Sequence, residues 1–283
     1  MFGEYAPLPF VPAPGIRRDR SRGTRPSAPA GARGLDILTV LMIGAAAFLV
    51  SGTIKGVAGI GLPTAAIAFM TLFLDPRTAI ALVLFPMTGS NMRQLILGGH
   101  FLRTARRYRV FAIILFFGVF ATTYGTQNTS DRALLAVLGV VVLIFVFISW
   151  KNIIQPLPDR FDRAAQVGFG LVSGVIGGMT AAWAPPVAMY LATKQVDKDE
   201  FIRATGFLIS VGSIPLVLSY AQIGFLTKPL AGLSLAMLIP TFLGMKVGEV
   251  LRRRLSVETF RRVILIVFAF LGFNLIRRAI WYG

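Results

Sequence analysis

Long uninterrupted runs of apolar residues are the dominant pattern of this chain. Two shorter runs, at 62 to 74 and 185 to 194, begin at proline; as helices they reach only about 20 and 15 Å of a roughly 30 Å hydrocarbon core. The pattern predicts two half-helices and eight spanning helices. The eight longer runs lie at about 35 to 55, 77 to 97, 110 to 125, 133 to 150, 164 to 182, 203 to 221, 229 to 250 and 260 to 281.

The chain contains an internal repeat. The segment "LVSGTIKGVAGIGLP" at 49 to 63 aligns without gaps on "LVSGVIGGMTAAWAP" at 171 to 185, with seven of fifteen positions identical and an offset of 122 residues. The same offset places Asp75 on Asp197. We therefore expect an all-α polytopic membrane protein with two homologous halves, each with about four spanning helices plus a short Gly/Pro-broken half-helix segment, giving 8 to 10 transmembrane segments. The predicted repeats are residues 35–163 and 164–283.

Arginine-rich segments leave two topologies open. The loops at 98 to 109 and 251 to 262 are both expected in the cytoplasm, and they share a side only with ten segments and antiparallel halves. Eight segments with parallel halves keep the arginines of residues 1–34 inside, and this count is slightly favoured because the proline-led segments are too short to span. Residues 1–34, rich in Arg, Pro, Ser and Gly without an apolar period, predict a disordered basic tail.

Composition narrows the function. Hydrophobic residues make up 55% of the chain and charged residues 14%, and the mean hydropathy is +0.72, which excludes a soluble globular domain. No cysteine is present, and the single histidine, His100, lies beside a basic loop, so we expect no metal, no cofactor and no enzyme. The net charge is +17, and in a polytopic membrane protein Lys and Arg collect in short cytoplasmic loops. Anionic lipids are therefore the expected partner of this charge, and no nucleic acid partner is expected.

Each half carries a predicted break inside the membrane. Glycines are followed by proline, so a helix is expected to end, expose some backbone and restart at the proline. The restarted helix offers unpaired N–H groups and a partial positive charge, and Lys55 adds a full charge in the first break, so we expect an anion site. The candidate substrate-binding residues are Lys55, Gly56, Gly59, Gly61, Pro63, Thr64, Asn91, Gln94, Gly178, Trp183, Pro185 and Pro186.

Plainer explanations exist for the same residues. The glycines could serve close helix packing, and Lys55 could extend to the membrane interface. For Asn91 and Gln94, pore lining and ordinary interhelical hydrogen bonding are equally expected.

Two motifs resemble the sulfite exporter TauE/SafE family of membrane permeases. They are "KGVAGIGLP", followed by Asp75, and "APPVAMYLATKQVDKDEFIRA", and the resemblance extends over about residues 40 to 280. It implies an exporter or permease of small sulfur-containing or organic anions such as sulfite, sulfoacetate or sulfonates in the bacterial inner membrane. The chain departs from the family where Ala181, Trp183 and Ala184 replace a glycine-rich run, and we expect Trp183 to narrow a cavity.

Taken with the breaks, the sequence predicts a secondary transporter that binds its anion near the midplane, at the N-termini of the broken helices. The coupling ion stays open between protons and sodium, and the oligomeric state is not predicted. A membrane-embedded enzyme and a non-transporting scaffold are the alternatives.

Overall fold

A computed structural model of the chain describes residues 37–151, 155–254 and 257–281. The predicted basic tail, residues 1–34, lies outside the described residues. Within them the regular structure is helical. The helices are α1 Ile37–Ala58, α2 Leu62–Met70, α3 Pro76–Gly98, α4 Phe101–Arg107, α5 Arg109–Gly125, α6 Asp131–Lys151, α7 Asp162–Thr180, α8 Ala184–Thr193, α9 Lys198–Ile223, α10 Lys228–Ala236, α11 Leu238–Arg254 and α12 Val257–Trp281.

Every predicted apolar run coincides with a helix or a consecutive helix pair. The short segments are α2 and α8, of 9 and 10 residues. Five spans of the described chain are long and apolar enough to cross a membrane, or six if α4 and α5, bent by 77°, count together. The prediction of an all-α polytopic membrane protein is confirmed. The count of 8 to 10 segments and the repeat boundaries stay predictions.

Matched aspartates start the long helix after each half-helix. The Asp75 carboxylate accepts a hydrogen bond from the Thr78 N–H at 2.9 Å and caps α3. Asp197 accepts from the Glu200 N–H at 2.8 Å and caps α9. These capping residues are separated by the repeat offset, so the helix order α1 to α3 recurs in α7 to α9.

Ion pairs show which helix ends meet. The ends of α3 and α11 are joined by Arg93 and Glu249, whose charged atoms lie 3.0 Å apart. The end of α4 and the start of α9 are joined by Arg107 and Glu200 at 2.5 Å. We call this face of the bundle the basic end, because the arginine-rich segments after α3 and around the end of α11 both reach it.

The opposite face, which we call the distal end, holds the start of α3. There Arg77 of α3 contacts Asp131 at the start of α6, at 3.4 Å, and lies over the ring of Phe225, just after α9. Since α3 starts at the distal end and α9 at the basic end, the two halves run in opposite directions. The preference for parallel halves is therefore wrong. The ends of α3 and α11, from which the two arginine-rich loops start, lie at the same end of the bundle, as in the antiparallel arrangement.

Glycines of the repeat bring helix backbones into contact. A Cβ atom at Gly52 of α1 would lie 2.5 Å from the Thr241 carbonyl oxygen of α11, and one at Gly174 of α7 would lie 2.9 Å from the Gly118 Cα of α5. Gly56 and Gly178, one turn further on, continue these two contacts. For these matched glycines the packing explanation is confirmed, because no side chain fits between the backbones.

Candidate functional site

The first break separates α1 from α2 at two glycines with left-handed backbone. Gly59 has φ of +78° and Gly61 has φ of +99°, a conformation that favours glycine. Gly61 is the N-cap of α2, and Pro63 lies in the first turn of that helix. The predicted sequence of helix end, irregular backbone and proline-led restart is thus present.

Lys55 lies in the last turn of α1, next to this break. Its side chain is 2% exposed, and its Nζ donates to the Asn91 Oδ1 at 2.5 Å. Asn91 is oriented by its own Nδ2, which donates to the Met87 carbonyl at 2.7 Å. Among the described residues no carboxylate pairs with Lys55. The lysine side chain is therefore buried, and its hydrogen-bond partner among the described residues is a neutral amide.

A cavity of about 380 Å³ lies between Lys55 and the basic end. Its volume is within the usual range for small-ligand sites, roughly 300 to 1,000 Å³. Four basic side chains face it against two acidic ones, so its field attracts anions. The lining residues are Lys55, Gly56, Gly59, Arg93, Gln94, Leu97, Gly98, Asp199, Ile202, Arg203, Met245, Glu249 and Arg252.

Gln94 fixes the break against α9. Its Nε2 donates to the Gly59 carbonyl at 3.1 Å and to the Ile202 carbonyl at 2.8 Å, and it lies 3.2 Å from the Thr205 hydroxyl. Gln94 and Asn91 thus make the interhelical hydrogen bonds expected of them, and Gln94 also lines the cavity. The position of the Gly59 carbonyl is held by a side chain of α3.

The sequence did not place Arg203 and Arg252 in a site. Arg203 lies across Gly98, where its Cγ would be 2.7 Å from an added Cβ, and Arg252 faces the same cavity from α11. In the sequence both read as charges that fix topology at helix ends. Only the approach of α3, α9 and α11 in three dimensions brings them together with Lys55.

The N-termini of the two half-helices meet at a second, smaller cavity of about 60 Å³. Gly61 and Thr64 of α2 line it opposite Ala184 and Pro185 of α8. The Thr64 hydroxyl is buried, and no hydrogen-bond partner is present for it in the described part of the chain. Because α8 has prolines at both its second and third positions, it lacks two N–H donors that an ordinary helix start would offer.

The second break is filled by an indole ring. Ala181 has φ of +57°, and the Trp183 side chain is completely buried. The ring lies against Gly177 and Gly212; an added Cβ at Gly212 would be 3.1 Å from the Trp183 Cε2. Gly177 is the repeat equivalent of Lys55, so the indole occupies the space beside the position where the first half carries its lysine.

The predicted site residues therefore fall into separate places. The larger cavity collects Lys55, Gly56, Gly59 and Gln94, with Asn91 behind the lysine. Gly61, Thr64 and Pro185 line the smaller cavity, and Pro63 belongs to the first turn of α2 beside it. Pro186 lines an apolar groove between α6, α7 and α8. Trp183 lines neither of the two cavities, and Gly178 packs against α5.

Comparison with known proteins places the chain in a family. A sequence model of the sulfite exporter TauE/SafE family matches residues 43–275, a range that contains both breaks and the larger cavity. Searches of curated proteins and of solved structures gave no significant match. The matched range covers most of the chain. The chain therefore belongs to the sulfite exporter TauE/SafE family, whose members are membrane transporters.

Proposed function

We propose that the protein is a secondary transporter, an exporter or permease, of small sulfur-containing or organic anions such as sulfite, sulfoacetate or sulfonates in the bacterial inner membrane. The observation that carries the proposal is the buried amine of Lys55. It faces a cavity, and within the described part of the chain it is paired with the neutral Asn91 alone. A buried charge without a counter-charge is costly, so an anion in the cavity would stabilise it.

The arginines around the cavity extend this charge toward the basic end. Arg93 is paired with Glu249, whereas Arg203 and Arg252 form no ion pair within the described residues. They would raise the local concentration of an anion before it reaches Lys55. At Lys55 the oxygens of a sulfite or sulfonate group would accept a charge-assisted hydrogen bond, which is stronger than a neutral one.

The first break supplies a route deeper into the protein. Gly59 lines the larger cavity and Gly61 the smaller one, so the break separates the two spaces. We assign the Thr64 hydroxyl and the start of α2 as the groups that receive the anion after Lys55, because a helix start offers N–H donors and a partial positive charge. Movement of the glycine segment would enlarge the smaller cavity and pass the anion onward.

The orientation of the protein follows from its charges. The basic end holds most of the Lys and Arg residues of the described loops and is assigned to the cytoplasm. The larger cavity would then load anions from the cytoplasm, in keeping with export. Reporter fusions at Gly99 and Arg254 are both expected to report the cytoplasmic side; opposite sides would contradict the antiparallel arrangement.

Transport itself is tested in proteoliposomes that contain the purified full chain. Vesicles loaded with unlabelled sulfoacetate should take up labelled sulfoacetate by exchange, with saturation, and sulfite or other sulfonates should compete. Empty liposomes control for leakage. Absence of saturable exchange across a panel of sulfur oxyanions and carboxylates would contradict the proposed function and favour the enzyme or scaffold alternatives.

A further inference from the structure

A second charged cavity lies at the basic end, away from Lys55. Its volume is about 510 Å³, and it is bounded by the bend between α4 and α5 and by the first turns of α7. Its polar lining consists of four arginines and one amide: Arg106, Arg107, Arg109, Arg163 and Gln166. No residue is shared between this lining and that of the transport cavity.

The positive charge of this cavity is largely uncompensated. Arg107 pairs with Glu200, but Arg106, Arg109 and Arg163 have no acidic partner among the residues that the structure describes. The 17-residue helix α5 begins at Arg109, so its N-terminus adds a partial positive charge at the same place. Arginine geometry and a helix start together suit the oxygens of a phosphate group.

A buried side chain ties the backbone of the bend between α4 and α5 to α7. Gln166 of α7 is 5% exposed; its Oε1 accepts from the Phe111 N–H at 3.2 Å, and its Nε2 donates to the Arg107 carbonyl at 3.1 Å. The same Nε2 donates to the Asp162 carboxylate at 3.0 Å. The bend of 77° between α4 and α5 is thereby tied to α7, so the backbone positions of Arg107 and Arg163 are fixed relative to each other.

Exposed apolar side chains lie next to the charged cavity and favour an anion that also carries apolar chains. Ile113 lines it, is 56% exposed, and is followed one turn later on α5 by Phe117, which is 64% exposed. On α4, Phe101 and Leu102 are also exposed beside the arginines. Apolar side chains thus lead from the charged cavity onto the lipid-facing surface of α5, as expected for a ligand with a charged head and apolar chains.

We propose that this cavity binds the headgroup phosphate of an anionic phospholipid whose acyl chains lie along the exposed face of α5. The assignment does not depend on the transport function. The lipid would pin the α4–α5 bend at the membrane surface, where each arginine near an anionic lipid contributes about 1 kcal/mol.

The test is a lipid titration of the detergent-purified full chain, followed by native mass spectrometry. Phosphatidylglycerol should be retained in preference to phosphatidylcholine. The double variant Arg106→Ala, Arg109→Ala should bind phosphatidylglycerol about 25-fold more weakly, from about fivefold for each arginine. Arg103→Ala is the matched control, because Arg103 is exposed on the same helix and does not line the cavity.

Three results would overturn the proposal. They are equal retention of the two lipids, an equal loss of phosphatidylglycerol in Arg103→Ala, and displacement of the lipid by inorganic phosphate at the same concentration as by soluble lipid headgroup, which would indicate a free-anion site. The altered arginines are exposed, so the melting midpoint of the double variant should match that of the control. If it does not, the single variant Arg163→Ala on α7 provides the same comparison, with about a fivefold loss expected.

Discussion

The two broken helices of this protein share their packing and capping residues, which we call the frame, and differ in the residues beside the break. In both, glycines pack the first helix against a neighbour, proline lies in the first turn of the half-helix, and an aspartate caps the helix that follows. The first break adjoins a charged cavity at Lys55. The second is filled by Trp183, which rests on the glycine that replaces the lysine.

We propose that this difference leaves the repeated arrangement with one binding position. The frame must be kept in both halves because helix packing depends on it. In the proposed arrangement one half supplies the charge, and the equivalent positions of the other half have no role in binding. Accordingly, Asn91, the partner of Lys55, is matched in the second half by Ser213, whose hydroxyl donates to the Ser210 carbonyl of its own helix at 2.8 Å.

The largest effect is expected from Trp183→Ala. Truncating a completely buried tryptophan should cost about 3 to 5 kcal/mol of stability, because the cavity left between Gly177 and Gly212 is only partly refilled. The melting midpoint in detergent should fall clearly, while the transport KM for the anion stays unchanged in the protein that remains folded. A stable Trp183→Ala with a raised KM would show that the indole contacts the anion.

Lys55→Ala should have the reverse signature. Loss of a charge-assisted hydrogen bond of about 1.5 to 3 kcal/mol should weaken the apparent affinity for the anion about ten- to a hundredfold. Stability should change little or rise, because the variant no longer buries a lysine whose partner among the described residues is the neutral amide of Asn91. Lys55→Arg keeps the charge but changes its shape, and a tight site should transport less well with it. Unchanged kinetics in Lys55→Ala would remove the role given to this residue.

The shared frame is tested by Gly52→Val and Gly174→Val. Each places a side chain against the neighbouring backbone and should cost at least about 1 to 3 kcal/mol, to a similar degree in the two halves. Gly168→Val on α7 is the matched control, because an added Cβ there meets nothing within 4 Å. Melting midpoints measure the comparison. A large fall in melting midpoint for only one of the two variants would show that the glycine packing is not equivalent in the two halves.

The smallest effect on stability is expected from the ion pair between the residue after α8 and a residue just before α7. Here the Lys194 Nζ lies 2.6 Å from the Asp159 carboxylate. The hydrogen bond from Lys194 lowers the pKa of Asp159 below its ordinary value. A lowered carboxyl pKa stabilises the fold above the unfolded value, about 4, and this stabilisation is lost as the pH falls through the folded value. The melting midpoint of Lys194→Ala should therefore lie below that of the natural chain at pH 7, and the gap should narrow under acid conditions. A gap independent of pH would exclude this pair as its cause.

Much of the fold could be predicted because the membrane restricts the choice of structure. Apolar runs must form helices in lipid, so the runs ending near Gly98 and beginning near Lys198 were recognisable without tertiary information. The Gly/Pro pattern likewise placed both breaks. The relative direction of the two halves could not be predicted in this way. The antiparallel course of the halves depends on contacts such as that between Arg93 and Glu249, which no local pattern reveals.

The sequence pointed to some of the cavity-lining residues and missed others. Lys55 stands out as a charge inside an apolar run, and Gln94 as an amide on the following helix. By contrast, the repeat made Gly178 and Trp183 look like site residues, whereas the structure uses one for contact with α5 and the other as filling. A repeat shows which positions correspond, but the volume that a side chain fills depends on its neighbours in space.

We propose that each chain binds one anion, at Lys55. The most direct test is isothermal titration of sulfoacetate into the purified protein, alongside Lys55→Ala and Trp183→Ala. The account predicts one bound anion per chain, an affinity about ten- to a hundredfold weaker in Lys55→Ala, and unchanged affinity in folded Trp183→Ala. Two equivalent anions per chain, or undiminished affinity in Lys55→Ala, would contradict it.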